Sequence, residues 1–169
     1  MADYSIAELP VGVGYLGIAP MPGRDGFYPS DFNTILRWDA SIVLSMTPMR
    51  ELRYCKADRL GDDLAAAGVA WHHLPVADFG APDDAVALRW KTAASEVLAS
   101  LGEGGRVFTH CYGGCGRAGM AALRLMVEAG EKAPDALLRL RAVRPCAVQT
   151  EGQFAWAAAG KSLLPNNKR

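Results

Sequence analysis

Cys111 and Arg117 stand six positions apart, and three of the five residues between them are glycines: Gly113, Gly114 and Gly116. A cysteine set over inward-pointing backbone N–H groups at a helix N-terminus is favoured as thiolate, the nucleophilic form. The same N–H groups can cradle the equatorial oxygens of a phosphoryl group. Arginine adds a planar fork that grips two such oxygens at once, which lysine cannot imitate. Glycines keep the turn tight and leave the anion cup free of side chains. These residue types suggest in-line attack of Cys111 Sγ on phosphorus. The departing alkoxide or phenoxide then needs a proton, and a carboxylic acid within about 3 Å can give one. The loop Ala77–Asp83 follows a strand that would run parallel to the Val107 strand, so it offers Asp78 or Asp83 for this step.

Such a loop works only if a strand and a helix hold it. Val107, Phe108 and Thr109 form a β-prone run delivering His110 and Cys111, and an apolar segment from Arg117 toward Ala129 reads as a helix. Upstream, residues 1–22 read as one or two short strands, followed by a loop over Gly23–Pro29 and a helix capped by Ser30. Ile42–Leu44 read as a buried strand, with a short helical turn after Pro48. A helix is expected over Ala57–Ala67, stopped by Gly68, before a strand over Trp71–Val76. The segment Ala77–Asp83 is a loop by composition, and Asp83 or Asp84 is placed to cap a helix reaching Leu101. Trp90 lies on the apolar stripe of that helix and belongs to the core. Helices follow from about Asp135 to Val143 and, capped by Thr150, through Phe154 and Trp156. Strands alternating with helices predict a single α/β domain over residues 1–169, with a mostly parallel central sheet covered on both faces.

The run His110-Cys111-Tyr112-Gly113-Gly114-Cys115-Gly116-Arg117 resembles the signature loop of cysteine-dependent protein phosphatases, in the compact dual-specificity branch. The resemblance is to the cyclin-dependent kinase inhibitor 3 type and extends to His72–Asp83 and Ala147–Gln153, covering about residues 40–160. It implies a protein-tyrosine-phosphatase-like fold, no metal and no cofactor. It also implies a phosphoprotein or small phosphomonoester substrate, with phosphotyrosine favoured and phosphoserine or phosphothreonine possible. Cys111 matches the nucleophile, Arg117 the phosphate-binding arginine and Asp78 the general acid, while residues 111–117 match the phosphate-binding loop. Relatives of this type also use an acid after the strand at Ile42, which leaves two readings of Glu51: it orients Arg117, or it is a surface helix charge. Gln149 and Gln153 likewise either reach the active site or fix the final helix through hydrogen bonds.

The chain departs from the family pattern after the signature arginine, where Ala118 replaces the usual serine or threonine. That hydroxyl normally donates to the cysteine sulfur, as thiolate and later as leaving group. Its loss should slow hydrolysis of the phosphocysteine more than its formation. The same departure keeps open a second class of function, a phosphate-binding interaction module with weak or no turnover. Cys115 either packs beneath the loop or protects Cys111 reversibly during oxidation.

The 169 residues carry 18 Lys and Arg against 18 Asp and Glu, and half are hydrophobic. A neutral balance gives no reason to expect nucleic acid or an anionic membrane as partner. No apolar run is long enough to span a membrane, and the N-terminus has no basic segment leading into an apolar signal core. The cysteines at 55, 111, 115 and 146 follow neither metal-ligand nor secreted-scaffold spacing, so a reducing cytoplasm is the expected compartment. His72 and His73 face opposite sides of a strand and have no further ligands nearby in sequence, which argues against a metal. Arg24 either approaches substrate or is a solvated loop charge. Lys168 and Arg169 read as a polar tail, and the oligomeric state is not encoded in any motif.

Overall fold

The computed structural model describes residues 3–163; the tail at Lys168 and Arg169 lies outside them. Strands β1 (Ala7–Val11) and β2 (Gly14–Ala19) form an antiparallel hairpin at one edge of the sheet. Three parallel strands follow: β3 (Ile42–Ser45), β4 (Ala70–His73) and β5 (Arg106–His110). The sheet order is β1-β2-β5-β3-β4, with β5 parallel to both β2 and β3. The expected mostly parallel sheet is therefore present, with β1 as the antiparallel edge.

Residues of β5 explain why both faces must be covered. Val107 packs into the apolar cluster on one side and Phe108 into the cluster on the other, as the two-residue side-chain period of a strand requires. Helices α1 (Tyr28–Arg37), α2 (Met49–Tyr54) and α3 (Leu60–Ala66) cover the Phe108 side through Ile35, Leu52, Leu60 and Leu64. The Val107 side is covered by α4 (Asp84–Gly102), α5 (Gly116–Glu128), α6 (Ala133–Val143) and α7 (Glu151–Ala158). Trp90 on α4 is 2% exposed and donates its indole N–H to the buried Glu128, so it is a core residue. No helix among the described residues is long and apolar enough to cross a membrane.

Three local expectations need correction. Ser30 does not cap α1, because Pro29 lies in the first turn, where its missing N–H costs nothing, and the helix begins earlier, at Tyr28. Helix α3 begins at Leu60 rather than Ala57, since Lys56 adopts a left-handed conformation (φ 55°) and residues 57–59 form a separate turn. Strand β4 ends at His73, although Leu74 and Val76 still donate backbone hydrogen bonds to Ser45 and Met46. Asp83 caps α4 by accepting from Val86 N at 2.9 Å, and Thr150 caps α7 in a reciprocal box with Gln153.

Candidate active site

Parallel strands end on the same edge of a sheet, and in such folds that edge carries the site. Here β5 ends in His110 and Cys111, β3 leads to Glu51 through the turn into α2, and β4 leads to Asp78. Arg117, in the first turn of α5, draws these segments together. Its Nη1 and Nη2 each donate at 3.0 Å to one oxygen of Glu51, and Nη1 also donates to Val76 O at 2.9 Å. Asp78 Oδ1 lies 3.4 Å from Nη2. The Arg117 side chain is only 2% exposed, whereas that of Asp78 is 60% exposed. Of the two readings of Glu51, the geometry therefore matches the one in which it orients Arg117.

One donor of the guanidinium is left over. Arg117 Nε is buried with no hydrogen-bond partner among the described residues. Leaving a buried donor unsatisfied costs about 1–3 kcal/mol, so the arrangement could accept an anion at this atom.

The loop between Cys111 and Arg117 has a fixed course. Gly114 sits at φ 68°, and a Cβ there would stand 2.4 Å from the backbone of Ala19, so no other residue fits this turn. Gly116 opens α5 with Gln149 Oε1 only 2.4 Å from where a Cβ would be, which puts the Gln149 side chain against the end of the loop. Gln153 is fully buried; its Oε1 accepts from Gln149 N and Thr150 N, and its Nε2 donates to Gly80 O. Thr150 Oγ1 donates to Phe79 O. Gln153 thus fixes the final helix as one reading had it, and in doing so it also holds the loop that carries Asp78. Phe79 is exposed and adopts a left-handed backbone (φ 59°) immediately after Asp78.

Beside Cys111 lies a buried polar relay. Trp71 Nε1 donates to Ser45 Oγ at 2.8 Å, and Ser45 Oγ is 2.6 Å from His110 Nε2. With the indole donating to Ser45, the hydroxyl proton goes to Nε2, which leaves the His110 Nδ1–H for the carbonyl of Cys111, 3.4 Å away. Burial lowers the His110 pKa from 6.5 to about 4; the hydrogen bond to Cys111 opposes this, and the charges of His73 and Arg117 add to it. His110 is therefore held neutral between Ser45 Oγ and the Cys111 carbonyl. Cys111 is itself buried, 3% exposed, at the bottom of the cup. Ala118 is completely buried and packs in the core.

Cys115 departs from both readings of it. Its sulfur is bonded to Cys146, which lies beyond α6, with Cα atoms 5.1 Å apart. It is therefore neither a free thiol packed beneath the loop nor a partner for Cys111; the free cysteines are Cys55 and Cys111. Spacing could not reveal this pair, because 31 residues separate its members and only the tertiary fold closes that distance. Arg144 was also missed. Its Nε and Nη2 donate to Gly114 O and Gly113 O, both at 2.9 Å, an interaction with backbone that carries no sequence signature. Arg24 is exposed, a solvated loop charge that also lies over the ring of Tyr112 at 5.3 Å in a cation–π contact. His72 pairs with Glu96 and His73 Nε2 lies 2.7 Å from Thr47 O; among the described residues no cluster of three potential metal ligands forms.

Comparison with known proteins agrees with this architecture. Residues 38–136 match the model of the family described as cyclin-dependent kinase inhibitor 3. Cyclin-dependent kinase inhibitor 3 of Mus musculus is 33% identical over 147 residues, which is 83% of this chain and 68% of the relative. Among solved structures, kinase associated phosphatase with its catalytic-site cysteine replaced by serine superposes with a TM-score of 0.80 at 24% identity, over 93% of each chain. The active form of Tk-PTP gives a TM-score of 0.67 at 26% identity, covering 89% of this chain and 92% of that one.

Proposed function

The chain belongs to the cyclin-dependent kinase inhibitor 3 family and is a protein phosphatase of the tyrosine/dual-specificity class, and from that premise we propose that it works through a phosphocysteine intermediate formed on Cys111. In the first step Cys111 Sγ bonds to phosphorus while the ester P–O bond breaks. Arg117 and the loop N–H groups hold the equatorial oxygens, and Asp78 gives its proton to the departing oxygen. In the second step water attacks phosphorus, the Asp78 carboxylate takes its proton, and phosphate leaves as the thiolate is restored. The observation that carries this reading is the buried Nε of Arg117, without a hydrogen-bond partner among the described residues and held beside the loop by the bidentate contact to Glu51.

Phosphotyrosine is the favoured substrate. Exposed Phe79 beside Asp78, and exposed Tyr54 with its ring 6.4 Å from that of Tyr112 in the loop, offer apolar faces to a phenyl ester. The cytoplasm is the proposed compartment, where two buried free thiols would remain reduced.

Ala118 sets the kinetics. Without a hydroxyl to donate to the sulfur, loss of the phosphoryl group from Cys111 is the slow step. Rapid mixing with p-nitrophenyl phosphate should give a stoichiometric burst followed by slow turnover, with both absent in Cys111→Ser. Ala118→Ser should accelerate the slow phase about tenfold, the equivalent of one hydrogen bond to a charged sulfur, at ~1.5 kcal/mol. Linear turnover that still needs Cys111 would keep the phosphatase and remove this role of Ala118. Phosphate binding without any release of p-nitrophenol would instead favour a binding module.

A further inference from the structure

The back of the anion loop is gripped by a short segment that the catalytic chemistry does not use. Arg144 Nη2 and Nε accept the burden of two carbonyls by donating to Gly113 O and Gly114 O, and Val148 N donates to Cys115 O at 3.3 Å. In a trans peptide the C=O and the following N–H point in opposite directions, and no cis bond occurs here. Drawing these three carbonyls toward residues 144–148 therefore turns the N–H groups of Gly114, Cys115 and Gly116 the other way, toward the cup. The Cys115–Cys146 bond ties that same segment covalently to the loop at its middle.

We propose that Cys115 and Cys146 are positioning residues whose disulfide holds the anion loop in its binding shape, so that the oxidised protein is the more active form. The inference rests on the reading of this loop as the phosphate cup. It runs against the usual consequence of oxidation for a cysteine nucleophile, which is inactivation. Two features separate the two outcomes. Cys146 is exposed, while Cys111 is buried, so a thiol oxidant in solution meets Cys146 first. Once Cys115 is committed to Cys146, the loop holds no second thiol to pair with Cys111, and Cys55 is buried within the cluster on the other face of the sheet.

The chemistry balances with a low-molecular-weight disulfide such as oxidised glutathione as oxidant. The Cys146 thiolate attacks one glutathione sulfur, forming a mixed disulfide and expelling one glutathione thiolate. The Cys115 thiolate then attacks the Cys146 sulfur and expels the second. Two protein thiols lose two electrons, one external disulfide gains them, and the two protons pass to the released glutathione. Because a disulfide in a reducing compartment is most often transient and redox-sensing, this bond would couple phosphatase activity to the thiol balance around it.

The test uses the full-length native protein in two anaerobic preparations, one equilibrated with oxidised glutathione and one fully reduced with a phosphine. Peptide mapping verifies the sulfur pairing in each. Calorimetry with inorganic phosphate and steady-state hydrolysis of p-nitrophenyl phosphate are run below the lower of the two melting temperatures. The expected result is that reduction weakens phosphate binding about tenfold and lowers kcat/KM at least as much, mainly through KM. Cys146→Ala should behave as the reduced native protein in either buffer; if it fails to fold, the two native preparations still decide. A purely structural staple would lower the melting temperature on reduction but leave phosphate affinity unchanged, and that result overturns the proposal. A Cys111–Cys115 bond in the oxidised map overturns it as well. Absence of turnover in both forms would count against the phosphatase mechanism, whereas equal phosphate affinity in both forms would count against the clamp alone.

Discussion

Arg117 is held by carboxylates and a carbonyl that follow strands β3 and β4, whereas Gly113, Gly114 and Cys115 are held by the segment after α6. At the arginine end the contacts are between side chains and largely ionic, with Glu51 Oε1 and Oε2 each 3.0 Å from a guanidinium nitrogen. At the glycine end they run to backbone carbonyls and through one covalent bond. The difference follows from what each end must do. A buried guanidinium needs a counter-charge and a single orientation, while the glycine turn offers only its peptide groups and the one side chain of Cys115 to hold. Variants at the arginine end should therefore alter charge-dependent steps, and variants at the glycine end should alter anion affinity.

Asp78→Asn tests the arginine end most severely. Removal of a general acid lowers rates by about 10²–10⁴-fold, and the loss in kcat/KM, which reports the step that expels the leaving group, should be greater for phenyl phosphate than for p-nitrophenyl phosphate, whose leaving group needs a proton less. An equal loss on both substrates would assign Asp78 to charge alone. Glu51→Gln removes one member of a largely buried pair, and leaving the other charge uncompensated costs about 3 kcal/mol. Urea unfolding should register this as a lower midpoint with an unchanged slope; a variant as stable as the native protein would mean that Arg117 finds another anchor.

His110 lies under both ends and supplies a pH dependence with a definite sign. Its folded pKa of about 4 lies below the ordinary value of 6.5, so the unfolded chain takes up the proton first as pH falls. The stability contribution is intact above pH 6.5 and is lost between there and pH 4, by about 3 kcal/mol at 1.36 kcal/mol per pKa unit. Unfolding measured at pH 7 and pH 4.5 should show this loss in the native protein and a smaller one in His110→Gln, which cannot titrate. Equal losses would remove His110 as the cause. The smallest effect is expected from Arg144→Ala at the glycine end. Two hydrogen bonds to carbonyls are worth about 1 kcal/mol each, so phosphate affinity should fall about tenfold or somewhat more while the pH profile of kcat stays in place. A shifted profile would mean that the two ends are electrostatically coupled.

The same contrast explains which parts of the site could be read from the chain. Cys111 and Arg117 are visible as residue types at a spacing, and Asp78 and Glu51 through the family resemblance around them. Arg144 donates to two carbonyls, Gln153 to a third, and Ser45, 65 residues from His110 and 26 from its own donor Trp71, sets the tautomer of His110. Such partners are chosen by which backbone atoms the fold brings near, and almost any sequence supplies backbone atoms. Element boundaries follow a similar rule. The apolar stripes of α4 and α5 were legible because period and length agree, while the starts of α1 and α3 moved because Pro29 and the left-handed Lys56 decide them locally.

By itself the sequence determined an α/β domain and a strand–loop–helix unit with Cys111 and Arg117 at the ends of its glycine turn. Residue type and local spacing suffice for these, because the helix start and the glycine turn are formed by neighbours in the chain. The tertiary structure alone decided that Glu51 clasps Arg117, that α7 holds the Asp78 loop, and that Cys115 joins Cys146 rather than Cys111. Each of those depends on bringing distant segments to one sheet edge, and that meeting is enforced by burial of the two apolar faces rather than by any residue in the site.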